Sequence, residues 1–249
     1  MIKKLTPTKV KDYLKIKLKR IINGHENIEL TTSHCGEDRI LKYLFKKKKI
    51  GFYIDIGAFH PIISSNTYIF HKEGWRGINI DPFPNSMDIF KKLRPNDINL
   101  EIGIGQNDEI INYYKIGSGH HQMNGFNPNF QENLFADFNI QENDIVKIPL
   151  KVYPLKKVFE KYLPKNQKID FMTVDVEGYE EKILISNDWI KYRPSIVMVE
   201  NHKPMSDDLW NIPELKIMKQ NNYSLAFKTP NELIFIDNKK NLNKSGILI

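Results

Sequence analysis

The sequence predicts an α/β fold with a mostly parallel sheet, helices on both faces and a C-terminal antiparallel hairpin. Short apolar segments rich in β-branched and aromatic residues alternate with amphipathic segments of helical period. Near the C-terminus, two strand-like segments are separated only by the turn Thr229-Pro230-Asn231. The length of 249 residues suits one such domain with some elaboration.

The alternation can be followed along the chain. The first five predicted strands cover residues 52–56, 77–80, 98–104, 169–174 and 195–199. The closing hairpin adds strands at 225–228 and 232–236, which makes a seven-stranded sheet. Helices are predicted over 37–45, 67–72, 86–93 and 180–185. In open sheets of this kind, ligands bind outside the carboxyl ends of the strands.

Two further regions surround this domain, which we place at residues 33–249. Residues 1–32 are predicted to form a basic helical extension, with a helix over 8–22. This helix either packs on the domain or contacts a membrane surface or a partner. The interval 105–168 is irregular, with an edge strand at 113–116, a helix at 134–140 and a strand at 147–153. We interpret it as an inserted region that covers the substrate.

Composition sets broad limits. Apolar residues make up 41% of the chain, which is enough for a full core and excludes disordered and fibrous classes. The single cysteine, Cys35, allows no disulfide within the chain, and no apolar run is long enough to span a membrane. We therefore expect a cytoplasmic protein; a homo-oligomer is left open. The net charge of +7 is compatible with nucleic acid, an anionic membrane or a phosphate-bearing substrate.

The first motif, Asp55-Ile56-Gly57-Ala58, ends the first predicted strand. A glycine at this position lets the backbone approach a ligand and adopt unusual dihedral angles. The complete G-x-G-x-x-G fingerprint is absent, which disfavours NAD, whose pyrophosphate needs a glycine-lined helix start. S-adenosylmethionine has no phosphate, so a shorter turn suffices for it. A purely structural turn is an equally good interpretation of this motif alone.

Asp81 follows the second predicted strand. A carboxylate at this position can accept hydrogen bonds from both ribose hydroxyls of an adenosine cofactor. The alternative is a turn or helix-capping residue before Pro82. Asp55, Gly57 and Asp81 together indicate a site for a nucleoside-bearing cofactor.

Acidic residues follow the fourth and fifth predicted strands, namely Asp175, Glu177 and Glu200, with His202 nearby. Adjacent strand ends would bring Asp175, Glu200 and His202 together, and such groups can hold a divalent ion. Alternatively, Asp175, Glu177 and His202 would serve in proton removal. His202 could also be an ordinary loop residue. The pair His120-His121 in the insertion is interpreted as a substrate contact or a solvated loop.

In order and spacing, these motifs resemble the FkbM-type methyltransferase family. The resemblance rests on residues 33–38, 51–58, 65–68, 74–77, 81–82, 169–180 and 196–200. It implies a Rossmann-like class I methyltransferase fold and methyl transfer from S-adenosylmethionine, usually to an oxygen of a sugar, glycan or polyketide-like acceptor. It also implies a cofactor site, to which we add Ala58 and Gly103; the predicted set is Glu37, Asp55, Gly57, Ala58, Asn66, Asp81 and Gly103.

The predicted activity is O-methylation of a sugar hydroxyl on a nucleotide-sugar or surface-glycan precursor, with a divalent ion (Mg, Mn or Fe) as a possible aid. One alternative is an RNA or DNA methyltransferase, because Asp81-Pro82-Phe83-Pro84 is similar to a base-methylation signature. No basic–aromatic stripe supports nucleic-acid binding, so no such partner is expected. A second is a metal-dependent glycosyltransferase, for which Asp175-x-Glu177 is the nearest metal motif. A third is a non-catalytic binding domain.

Overall fold

A computed structural model describes residues 30–117, 122–128 and 142–240. The elements below belong to the compact unit that spans residues 32–249. The predicted helices at 8–22 and 134–140 lie outside the described residues, as do His120 and His121. Among the described residues, no helix has the length and apolar character needed to cross a bilayer.

A seven-stranded sheet forms the centre of this unit. Its strands are β1 (Phe52–Ile56), β2 (Arg76–Ile80), β3 (Ile98–Leu100), β7 (Phe171–Val174), β8 (Ile196–Glu200), β9 (Tyr223–Lys228) and β10 (Glu232–Asp237). They are arranged in the order β3-β2-β1-β7-β8-β10-β9. The strands from β3 to β8 in this order pair in parallel, whereas β10 is antiparallel to both β8 and β9. The predicted fold class is confirmed.

Helices cover both faces of this sheet. They are α1 (Glu37–Leu44), α2 (Tyr68–Lys72), α3 (Met87–Leu93), α4 (Leu155–Tyr162), α5 (Glu180–Ile185) and α6 (Pro213–Gln220). On one face, α4, α5 and α6 pack against side chains such as Ile54 and Val197. On the other face, α1 and α2 pack with Tyr53 and Phe171 around Trp75.

The register of the parallel strands places the loops that carry the candidate site. Every residue of β1 and β7 is buried, as expected for strands covered on both faces. Ile56 at the end of β1 pairs with Ile80 of β2 and Val174 of β7, and Val174 pairs with Val199 of β8. The four loops that follow these strands therefore begin at the same edge of the sheet.

The structure corrects two sequence predictions. The predicted third strand, 98–104, is divided: only β3 joins the main sheet, while β4 (Gly103–Ile104) joins a second sheet with β5 (Glu109–Ile116) and β6 (Ile145–Tyr153). The interval 105–168 is also more regular than predicted, since it holds β5, β6 and α4. An apolar run does not indicate which distant strand it will pair with. The sequence therefore could not predict that residues 98–104 are divided between two sheets.

Arg94 is the centre of a buried polar network behind the β1 edge. Its side chain is fully buried and donates hydrogen bonds to the carbonyl of Pro61 and to the hydroxyls of Ser65 (2.9 Å) and Thr67 (2.8 Å). Thr67 in turn donates to Asp55 at 2.5 Å. Burial raises the pKa of Asp55, while the Arg94 guanidinium and the Thr67 hydrogen bond oppose this rise. Arg94 therefore ties the loop after β1 to the sheet.

We predict that Arg94→Met lowers the free energy of unfolding by about 3–5 kcal/mol, because it leaves the Asp55 carboxylate buried without a cation. Chemical denaturation measures this change. Lys92→Met is the matched control, since Lys92 is exposed near the end of α3, which Arg94 follows, and its effect should stay within about 0.5 kcal/mol. Equal effects of the two substitutions would contradict the assigned role of Arg94.

Candidate active site

A cavity of about 470 Å³ lies at the carboxyl edge of the sheet. Its size is in the range typical of small-molecule sites. The loops after β1, β2, β7 and β8 contribute to it, together with residues from the insertion. The polar and charged residues among its lining are His34, Ser64, Asp81, Tyr113, Gln122, Asn124, Asp175, Glu177, Glu200 and His202. No lysine or arginine is among the described residues that line it.

Gly57 forms the tight turn at the base of the cavity. Its φ angle is +82°, and a Cβ atom here would lie 1.6 Å from the carbonyl oxygen of Asp175. The N–H groups of Gly57 and Ala58 both donate to the carbonyl of Ile80, at 2.9 and 3.0 Å. Because the backbone is so close to both neighbouring strand ends, only glycine fits this position.

Asp81 lines the cavity immediately after β2. One carboxylate oxygen accepts the N–H of Phe59 at 3.0 Å, and the other accepts the N–H of Phe83 at 2.9 Å. Phe59 also lines the cavity and has a φ angle of +46°, which is unfavourable for a side chain of its size. The hydrogen bond to Asp81 helps to hold this strained turn in place.

Three carboxylates that line the cavity converge: Asp175, Glu177 and Glu200 each place an oxygen within 4.8 Å of the others. We call these three residues the acidic trio. The Glu177 N–H donates to Glu200 at 3.2 Å, and the φ angle of Glu177 is +58°. Burial, followed by the charge of Glu200, raises the pKa of Asp175 well above its usual value and that of Glu177 to about 9. Because its pKa is about 9, Glu177 holds a proton at neutral pH unless a cation lies nearby.

His202 is attached to this trio through Glu200. Its Nε2 atom lies 2.9 Å from a carboxylate oxygen of Glu200, and its side chain is 57% exposed. The hydrogen bond to Glu200 is the main reason that the pKa of His202 is raised. The oxygens that lie within 4.8 Å of one another belong to Asp175, Glu177 and Glu200. An ion-binding group of Asp175, Glu200 and His202 stays a prediction.

Several predicted cofactor residues do not line the cavity. Asp55 lies within the Arg94 network, and Glu37 accepts hydrogen bonds from the Cys35 N–H (2.8 Å) and the Thr229 hydroxyl (2.9 Å). Ala58 packs against Met87 and Phe90 of α3.

Asn66 is buried, and its Oδ1 atom accepts no hydrogen bond from the described residues. Gly103 faces Val152 and Phe126 in the second sheet. For Asp55, Glu37, Ala58, Asn66 and Gly103, a role in cofactor binding stays a prediction.

Sequence reasoning missed several residues that line the cavity. Tyr113 and Phe126 of the insertion pack together at 5.0 Å between ring centroids and form an apolar wall. His34, Ser64 and Gln122 are polar residues at the exposed margin. Nothing in the sequence relates these three positions, which are far apart along the chain.

Comparison with known protein families identifies the family of this chain. The profile described as "Methyltransferase FkbM domain" matches residues 55–225, which is more than half of the chain. The chain belongs to this family. The predicted membership of the FkbM-type methyltransferase family is thus confirmed, and the matched region contains Gly57, Asp81 and the acidic trio. A comparison with curated proteins gives no match.

Solved structures show a distant likeness to this FkbM-family chain. The FkbM methyltransferase from Methylobacillus flagellatus KT is 14% identical over 75% of this chain and 43% of its own, with a TM-score of 0.40. The chain thus spans less than half the length of that protein. A TehB-like SAM-dependent methyltransferase from Corynebacterium glutamicum is 10% identical, over 93% and 100% of the two chains, with a TM-score of 0.41. An O-methyltransferase from Bacillus cereus in complex with SAH is 11% identical over 94% of this chain and 92% of its own, with a TM-score of 0.38.

We predict that Gly57→Ala abolishes binding of S-adenosylhomocysteine, measured by calorimetry, because the new methyl group must displace the Asp175 backbone. Gly74→Ala is the matched control. Gly74 has a similar φ angle of +95°, but a Cβ atom there meets nothing within 4 Å. The left-handed backbone costs each variant about 1–2 kcal/mol of stability, and the clash with Asp175 destabilises Gly57→Ala further. Normal ligand binding by Gly57→Ala would show that the close approach is unimportant.

Proposed function

We propose that this FkbM-family chain transfers a methyl group from S-adenosylmethionine to a hydroxyl oxygen of a sugar. The observation that carries the proposal is the cavity at the carboxyl edge, where the Gly57 turn, Asp81 and the acidic trio meet. Ligands of open α/β sheets bind at this edge. The residues of the cavity divide into a cofactor side and an acceptor side.

On the cofactor side, Gly57 permits close approach of the ligand to the backbone, and Asp81 would accept hydrogen bonds from the ribose hydroxyls. Ile102 and Ile104 offer apolar surface for the adenine ring. When bound, S-adenosylmethionine supplies an electrophilic methyl group on a positively charged sulfur. The neighbouring carboxylates would complement that charge in their ionised form.

On the acceptor side, a proton must leave the attacking hydroxyl, since a neutral sugar hydroxyl is a poor nucleophile. We assign this role to the neutral imidazole of His202, with Glu200 orienting the ring and stabilising the charge that it gains. Tyr113 and Phe126 give the cavity an apolar wall, which would exclude water and strengthen the electrostatic interactions inside it.

The carboxylate oxygens of the acidic trio could hold a divalent ion. Three carboxylates within 4.8 Å of one another repel unless protons or a cation intervene, and oxygen ligands suit Mg²⁺ or Mn²⁺. Asp175, Glu177 and Glu200 would hold the ion, with His202 as a neighbour that Glu200 positions. A bound ion would lower the pKa of an acceptor hydroxyl. Fe²⁺ is less well matched, because its usual sites include two histidines.

RNA or DNA methylation and glycosyl transfer have less support. Nucleic acids and nucleotide-sugar donors present phosphates, which bind to lysine, arginine or backbone amides. The described lining of the cavity holds four acidic residues and no lysine or arginine. A cytoplasmic location, a contact through the basic N-terminal helix and a homo-oligomeric state stay predictions.

We predict that the purified protein transfers label from methyl-labelled S-adenosylmethionine to saccharides. Asp81→Asn should weaken S-adenosylhomocysteine binding about tenfold or more, because a charged hydrogen-bond acceptor is lost. Asp88→Asn, an exposed carboxylate on α3, is the control and should bind normally. Failure of the unmodified protein to bind either form of the cofactor would refute the proposed function.

We predict that Mn²⁺ binds to the protein and displaces protons. The pKa of Glu177 is raised to about 9, so protons compete with the ion and its apparent affinity should rise as pH increases towards 9. Calorimetry in buffers of different ionisation enthalpy measures both effects. Glu177→Gln and Asp175→Asn should weaken binding, whereas the exposed Glu101→Gln should not. Undetectable Mn²⁺ binding, with activity unchanged by a chelator, would exclude the ion.

A further inference from the structure

Three polar side chains from separate segments meet at the exposed margin of the cavity. The Nε2 atom of His34 lies 2.8 Å from the hydroxyl oxygen of Ser64, and the Gln122 amide donates to the same oxygen at 2.7 Å. The Gln122 and His34 nitrogens are 3.4 Å apart. All three side chains line the same cavity as the acidic trio. We call His34, Ser64 and Gln122 the polar rim.

Backbone contacts hold the first two members of the polar rim in place. The Ser65 N–H donates to the Thr32 carbonyl at 2.9 Å, and the Thr32 hydroxyl donates to the Ser65 carbonyl at 2.8 Å. These bonds join the segment that carries His34 to the segment that carries Ser64. Arg94 binds Ser65 from the buried side, so the loop is fixed on both sides.

The segment that follows Gln122, the third member of the rim, is anchored to β5. Gly125 pairs with Tyr114 through backbone hydrogen bonds, and the Asn124 side chain accepts the N–H of Ile116 at 2.8 Å. Gln122 therefore precedes a segment that is anchored to the second sheet. A rim built on anchored segments is preorganised, which reduces the entropy lost when a ligand binds.

The chemistry of the polar rim suits hydroxyl groups. Serine, histidine and glutamine can each donate and accept hydrogen bonds, as a hydroxyl does. A phosphate needs donors that carry positive charge or a cluster of amides, whereas four acidic residues and no described lysine or arginine line the cavity. Ser64 also has a φ angle of +54°, a strained conformation of the kind that clusters at binding sites.

We propose that His34, Ser64 and Gln122 bind the acceptor and select a neutral polyhydroxyl group, so that the sugar unit entering the cavity carries no phosphate. The inference rests on the proposed function and adds the recognition residues and the charge of the acceptor. The buried side of the cavity takes the cofactor, while the exposed rim meets the substrate that enters from solvent. The competing ligand for the rim is the amino-acid end of S-adenosylmethionine.

The experiment compares neutral methyl glycosides and short oligosaccharides with glucose 1-phosphate and UDP-glucose. Saturation-transfer NMR on the protein saturated with S-adenosylhomocysteine detects acceptor binding without turnover, and label transfer measures KM and kcat. The variants are His34→Ala, Ser64→Ala and Gln122→Ala, singly and combined. Gln106→Ala is the control, because Gln106 is exposed and does not line the cavity.

We expect neutral saccharides to bind and to be methylated. Each single variant should raise the acceptor KM by about tenfold, the effect of one lost hydrogen bond, with cofactor affinity unchanged. The inference would be overturned if the protein preferred the phosphorylated sugars or failed to bind neutral saccharides. It would also be overturned if the rim variants left the acceptor KM unchanged or lost cofactor affinity instead. Cofactor affinity of the unmodified protein is measured first. If the unmodified protein binds no cofactor, the proposed function itself is refuted. The results on acceptor choice and on the rim variants refute only the role of the polar rim.

Discussion

The parallel pairing of β1 with β7 is the constraint on which the site depends. It brings the Gly57 turn so close to the Asp175 carbonyl that no side chain fits between them. The Gly57 turn and the loop of Asp175 are therefore held together at one edge of the sheet. Any substitution that separates them would disturb the backbone turn and the carboxylate geometry together. The strain at Phe59 and Glu177, on either side of this contact, is tolerated because hydrogen bonds to Asp81 and Glu200 offset it.

The net charge of this protein is positive, whereas the charged residues that line the described cavity are mainly acidic. The chain is basic overall, and residues 1–29 alone hold eight lysines and arginines against three acidic residues. The described lining of the cavity is acidic, in contrast. On the function proposed above, such a lining would favour a positively charged sulfonium or a divalent ion over a phosphate. The overall charge is thus a poor guide to the acceptor, which the local electrostatics describe better.

Motif residues do not all act at the cavity. Asp55 belongs to the motif that first indicated a cofactor site, yet its carboxylate faces Thr67 in the network around Arg94. Arg94 also binds the Pro61 carbonyl and Ser65, which position the loop of Phe59 and Ser64. The Thr67 hydroxyl connects Arg94 to Asp55, and removal of the guanidinium would leave the buried carboxylate without a nearby positive charge. These hydrogen bonds from the buried Arg94 help to hold the loop that contains the strained residues Phe59 and Ser64.

The sequence by itself determined the strand–helix alternation, the closing hairpin and the glycine turn, because side-chain period and backbone permissiveness are local properties. It also placed Asp81, Asp175 and Glu200 at strand ends, which parallel topology brings to one edge. Tertiary structure decided the rest. Pairing between distant strands divided residues 98–104 between two sheets, and the pairing of β7 with β8 brought Glu200 beside Asp175 and Glu177. It alone joined His34, Ser64 and Gln122, since contacts between residues 30 to 88 positions apart depend on the folded path of the chain.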